Sequence, residues 1–129
     1  ASPILNVTGK RHAHRKSDGT TLHCERPITV FQALSGGKVD VPTFGGIVRI
    51  KIPPLSLHGP ALRMPGYGAQ DPESGIRGDQ LVHLKVEIPA ALKDEDFARL
   101  KALEASIGKA AFPKTARFEK ALSQDPEDE

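Results

Sequence analysis

Several things are scarce or missing in this 129-residue chain, and each narrows the reading. Cys24 is the single cysteine, so no internal disulfide can form, and nothing near the start combines the charged, apolar and small-residue parts of a secretory signal. A reducing compartment such as the cytoplasm is therefore expected. No apolar run approaches the roughly 18–20 residues that cross a bilayer, so a soluble protein without a membrane partner is expected. Net charge is only +2, too small to name a partner by itself. Turn formers, by contrast, are plentiful: 12 Gly and 11 Pro imply many turns and few long helices, hence a mostly β domain. A chain of this length fits one domain that buries roughly two-thirds of the surface its unfolded form exposes. The opening Ala1-Ser2-Pro3 without Met reads as a piece excised from a longer parent.

Alternation marks the strands. Leu22, Cys24, Ile28 and Val30 alternate with His23, Glu25, Pro27 and Thr29, the period-two pattern of a half-buried strand, with Arg26 on the otherwise apolar face. Phe31 to Leu34 can form one helical turn that Gly36-Gly37 ends. A strand from Lys38 to Thr43 carries Val39 and Val41 on one side; Phe44-Gly45-Gly46 is a turn; and Val48, Ile50 and Ile52 alternate with Arg49 and Lys51, completing a hairpin. Pro53-Pro54 stops that strand, and the turn-rich stretch up to Gly78 has Leu57, Leu62 and Met64 as core anchors. Val82, Leu84, Val86 and Ile88 then alternate in the clearest strand pattern, expected at the centre of a sheet. With Asp94 as N-cap, Phe97, Leu100, Leu103 and Ile107 recur at helical spacing before Gly108, and a second short helix from Pro113 carries Phe118, Ala121 and Leu122 on one face. The acidic residues Asp125 to Glu129 read as a disordered tail.

Few constellations carry chemistry. His12-Ala13-His14 has no nearby Cys or acidic partner and falls short of a tetrahedral set, so no metal and no cofactor are expected. His23 beside Cys24 points to the opposite face of a strand, so it cannot activate the thiol, and a buried structural Cys24 is expected. Gly66-Tyr67-Gly68 lacks the strand-to-helix setting of a phosphate loop, and Arg77-Gly78-Asp79 reads as a turn. An enzyme is not expected. The basic cluster of Lys10, Arg11, Arg15 and Lys16 could hold nucleic acid nonspecifically, but it has no aromatic to stack on bases and reads better as a solvated linker.

Taken in order, the segments resemble the second C-terminal β-domain of DnaJ-type co-chaperones. The resemblance rests on Ile28-Thr29-Val30, the turn Phe31 to Leu34, Gly36-Gly37-Lys38 and Val39-Asp40-Val41-Pro42-Thr43. It continues through Lys51-Ile52-Pro53-Pro54, Gly59, Leu62-Arg63, Gly66-Tyr67-Gly68 and Arg77-Gly78-Asp79, and covers about Val7 to Ile107. Leu55 replaces the family's usual glycine after the two prolines, Pro65 a common basic residue, Phe44-Gly45 a Leu-Asp turn, and Arg15 a usual Phe. The His-Pro-Asp signature that stimulates a DnaK-type ATPase, the Gly/Phe-rich region and the zinc repeats are absent from this sequence.

The resemblance implies a small two-sheet β-sandwich with a short helical turn and a C-terminal amphipathic helix. It divides the chain into a basic linker and a leading-in strand over 1–20, the β-sandwich domain with its closing helix over 21–108, and a helical extension with acidic tail over 109–129. It implies binding of unfolded polypeptide and homodimerisation, with delivery to a DnaK-type chaperone through other parts of a parent protein. Transfer of the sister domain's peptide groove points to Cys24, Arg26, Val39 and Val41, and transfer of the dimer contact to Phe97, Leu100, Leu103 and Ile107. The alternatives are a nonspecific DNA-binding module like the curved-DNA-binding relatives, or a pure dimerisation unit.

Overall fold

The computed structural model describes residues 15–56 and 61–124. The strands are β1 (Arg15–Asp18), β2 (Thr21–Thr29), β3 (Gly37–Thr43), β4 (Gly46–Ile52), β5 (Leu62–Met64) and β6 (Gln80–Glu87). The helices are α1 (Val30–Ser35), α2 (Asp94–Ile107) and α3 (Pro113–Ser123), with a 3₁₀ turn at Lys109–Ala111. Two compact units divide the chain, one through Pro89 and one from Ala90, so α2 falls with the helices that follow it rather than with the strands.

A four-stranded sheet of order β1-β2-β6-β5 and the two-stranded β3-β4 sheet make the small β-sandwich. β2 and β6 run parallel, Cys24 opposite Val82, whereas β1 on β2 and β5 on β6 are antiparallel. β6 is thus central, as its alternation implies. A parallel pair needs a long crossover, and here everything from α1 to the loop before Gln80 supplies it. Leu22, Cys24 and Ile28 of β2, Val39 and Val41 of β3, Ile52, Met64 and Val82 point inward and are buried, joined by Ala33 of α1. Leu62 packs partly against that core, and Leu57 lies outside the described residues.

The structure departs from the sequence expectation at three points. The first strand stops at Thr29, one residue early, because Thr29 Oγ1 accepts from the Gln32 backbone N–H at 3.1 Å while Gln32 Oε1 accepts from the Thr29 N–H at 2.9 Å. This reciprocal capping box stabilises α1 by about 1 kcal/mol and makes Val30 helical. The final strand ends at Glu87, leaving Ile88 exposed. Lys93, not Asp94, is the N-cap of α2, so Asp94, Glu95 and Asp96 all sit in the first turn, where acidic groups favour the positive end of the helix dipole. Leu55, at the position where the family usually has glycine, adopts the left-handed conformation that glycine prefers, with φ 56°. That costs roughly 1–2 kcal/mol for a side chain with a Cβ.

The loop between β5 and β6 is closed on itself and fastened to the β1–β2 segment by backbone bonds. Gly68 N–H donates to Gly78 O at 2.8 Å, Gly78 N–H to Ala69 O at 2.8 Å, Ala69 N–H to Thr20 O at 2.9 Å and Leu22 N–H to Asp79 O at 2.9 Å. A Cβ on Gly68 or Gly78 would overlap the Thr20 carbonyl, so the chain approaches closely only because both positions are glycine. The Arg77-Gly78-Asp79 tripeptide belongs to this clasp. Arg77 donates to Gly68 O at 3.0 Å with its guanidinium 5.4 Å from the centre of the Phe44 ring, and Asp79 binds Arg63 at 2.6 Å and the Gly66 N–H at 3.2 Å. The Arg63 hydrogen bond, then the Gly66 N–H, hold the Asp79 carboxyl below its usual pKa.

Candidate functional site: two edges of a hairpin

An extended polypeptide can be held by a strand edge whose backbone groups are unpaired and whose flanks are apolar. The β3–β4 hairpin has two edges, and they differ. On the β3 side, the Asp40 carbonyl accepts from Arg26 Nε at 2.8 Å and the Pro42 carbonyl accepts from Gln80 Nε2 at 3.1 Å. Arg26 also donates to the carbonyl of Pro27, so its guanidinium straps β2 to β3. Pro42 has no N–H to offer a further strand. This edge is closed by side chains.

Those bonds define the other edge. Asp40 and Pro42 turn their carbonyls away from β4, so the antiparallel ladder places its hydrogen bonds at the pairs Val39–Ile50 and Val41–Val48. The alternate residues Ile47, Arg49 and Lys51 therefore turn their N–H and C=O groups outward, and no strand pairs with that edge among the described residues. Val48 and Ile50, half-buried, extend the apolar core towards it, while Ile47, Arg49 and Lys51 are exposed on the outer face. Arg49 pairs with Asp40 at 3.0 Å, and Lys51 stands directly opposite Lys38, so this face is cationic.

The four residues expected to line a peptide groove do not form an open one. Cys24, Val39 and Val41 are core residues, 2%, 4% and 0% exposed, because β2 and β3 turn their alternate side chains towards each other's sheet. Arg26 alone of the four is partly accessible, and it serves as the strap just described. Cys24, the single cysteine of the chain, is buried and forms no disulfide. The unpaired β4 edge was not anticipated, although Pro42 and a two-residue loop together imply it.

The four residues of the expected dimer contact lie on α2. Phe97, Leu100, Leu103 and Ile107 are 53%, 43%, 52% and 47% exposed, and no residue of α2 or α3 is buried. Phe112, Phe118 and Leu122 are exposed as well. Among the described residues no group of three or more His, Cys, Asp or Glu is placed to hold a metal. No helix there is long and apolar enough to cross a membrane. The His12-Ala13-His14 pair, Lys10 and Arg11, and the acidic tail lie outside the described residues, and Arg15 and Lys16 begin β1.

Comparison with protein families matches residues 3–89 to the DnaJ C terminal domain. The match spans more than half of the chain and lies over the strand-rich unit. The chain belongs to this family, whose members are C-terminal modules of co-chaperones and not a class of enzyme.

Proposed function

We propose that this DnaJ C-terminal domain holds unfolded polypeptide by adding an extended client segment to the outer edge of β4. The carrying observation is the run of outward backbone groups at Ile47, Arg49 and Lys51 beside the half-buried Val48 and Ile50. Backbone hydrogen bonds make such binding tolerant of client sequence, and alternate client side chains rest on the apolar flank. Arg49 and Lys51 serve a second purpose. They oppose edge-to-edge pairing of two copies, since like charges would meet, and so leave the edge to clients. Clients held here pass to a DnaK-type chaperone that the parent's J-domain activates.

The exposed stripe of α2 favours a second element of the same reading. Phe97, Leu100, Leu103 and Ile107 meet the same residues of a second copy across a two-fold axis, giving a homodimer that presents two β4 edges.

A proline scan tests the client site. Arg49→Pro removes an outward N–H that no β3 group uses, a kind of strand position where proline is tolerated. Arg49→Ala removes the side chain and its Asp40 pair but keeps the outward N–H. In fluorescence anisotropy with a labelled, unfolded, apolar-rich peptide at moderate salt, the chain and Arg49→Ala should bind saturably and Arg49→Pro should not. Equal binding by Arg49→Pro with the fold intact, or loss on Arg26→Glu alone, would move the client to the β2–β3 seam. Binding that disappears between low and moderate salt and is shared by duplex DNA would indicate a phosphate-binding module instead.

A further inference from the structure

The outer face of the four-stranded sheet carries a pair of side chains that client binding does not use. His23 on β2 and His83 on β6 are both half-exposed, and the parallel register, with His23 opposite Leu81 and Glu25 opposite His83, sets them diagonally on one face. Their ring centroids are 5.1 Å apart with 22° between the planes, and His23 Nδ1 lies 2.9 Å from His83 Nε2, so the rings meet through these nitrogens. The only bond between these nitrogens is one that a single proton bridges.

We propose that His23 and His83 form a two-imidazole binding site for a divalent transition-metal ion, with Ni²⁺ or Cu²⁺ preferred over Zn²⁺. Metal–imidazole bonds are about 2.0–2.1 Å long, so two nitrogens 2.9 Å apart subtend roughly 90° at a shared ion. That is the cis angle of tetragonal and octahedral centres, whereas a tetrahedral zinc site needs a wider one. The ion replaces the bridging proton but sits off the line between the two nitrogens, and both rings turn to aim their lone pairs at it. The bridging proton moves to the far nitrogen of the ring that carried it, Nε2 of His23 or Nδ1 of His83, so both ligands bind as neutral imidazoles. Among the described residues no third side chain completes a metal-binding group, so water or a donor from another molecule fills the remaining positions. Glu25, opposite His83, is engaged with Lys85 at 3.8 Å.

The placement has a structural consequence. His23 and His83 stand on the two strands of the parallel pair, 60 residues apart in sequence, and that pair closes the whole crossover from α1 to Asp79. An ion held only by the folded state stabilises it by mass action, and here it staples β2 to β6.

The test is calorimetric titration of the full chain with NiCl₂, paired with thermal unfolding, in a His12→Ala/His14→Ala background that removes the competing histidine pair. Expected are one saturable site, a rise in Tm with added Ni²⁺, and an affinity lower by about tenfold or more in His23→Ala and in His83→Ala. Both variants should fold, since each removes a half-exposed side chain. Unchanged affinity in either variant, a Tm that Ni²⁺ does not raise, or binding that vanishes with the His12→Ala/His14→Ala background alone would overturn the site.

Discussion

The two halves of this chain use their apolar residues in opposite ways. Among the described residues, every buried one lies between Leu22 and Val82, where β2, β3, β4, β5, β6 and α1 face one core. From Ala90 to Gln124 no residue is buried, although Phe97, Leu100, Leu103, Ile107, Phe112, Phe118 and Leu122 are as apolar as the core. The strand-rich half buries a core of its own while leaving Phe31, Phe44, Ile47 and Ile88 among others exposed, whereas the helical half buries none of its apolar side chains. If the proposed homodimer forms through the exposed stripe of α2, most of the helical half's stability comes from the partner rather than from helix propensity.

The contrast is sharpest for core substitutions. Ile52→Ala, at a fully buried position, should cost about 2–5 kcal/mol in urea denaturation. Leu103→Ala, at a position 52% exposed, should change unfolding of the strand-rich half by less than about 0.5 kcal/mol. Similar losses for both would mean that α2 is part of the core after all. Next in size is Gly68→Ala, whose Cβ meets backbone rather than a yielding side chain. Overpacking of that kind should cost roughly 1–3 kcal/mol, read as a lower denaturation midpoint at unchanged m-value.

On the helical side, Leu100→Asp should convert dimers to monomers in sedimentation while circular dichroism shows helix content retained. An unchanged dimer would remove α2 from the interface. The smallest effect concerns the clasp. Because Arg63 and the Gly66 N–H lower the pKa of Asp79 in the folded state, its stabilisation is present above the unfolded pKa and fades as pH falls below about 4. Asp79→Asn should therefore flatten the acid limb of the stability–pH curve and leave its neutral shape unchanged. An equally steep acid limb would assign the acid sensitivity to other carboxylates, with Asp71, lowered by the Glu73 N–H and then by Ser74, the first to examine.

Much of the fold was legible because alternation reports it directly: β2, β3, β4 and β6, the hairpin, and both C-terminal helices follow from period-two and helical spacing. The capping box at Thr29 was legible too, since Thr-x-x-Gln is its signature, but the apolar alternation continued through Val30 and masked it. The site was less legible. Alternation puts Cys24, Val39 and Val41 on one face of their strands, yet whether that face lines a groove or a core depends on the sheet packed against it, which no single strand encodes. The β4 edge was encoded. A two-residue loop at Phe44-Gly45 makes Thr43–Gly46 the closing pair and turns Ile47, Arg49 and Lys51 outward, with Pro42 in agreement. His23 and His83 meet only through the parallel pairing of β2 with β6, and nothing local in either segment announces it.

The most direct test of client capture at β4 is residue-resolved amide hydrogen exchange with and without a saturating unfolded peptide. In the free chain Val48 and Ile50 should be protected by the β3 ladder, and Ile47, Arg49 and Lys51 should exchange rapidly. Peptide should protect those three amides and change Val48 and Ile50 little. Protection that appears instead around Arg26 and Asp40, with Ile47, Arg49 and Lys51 still exchanging freely, would contradict a client strand on this edge.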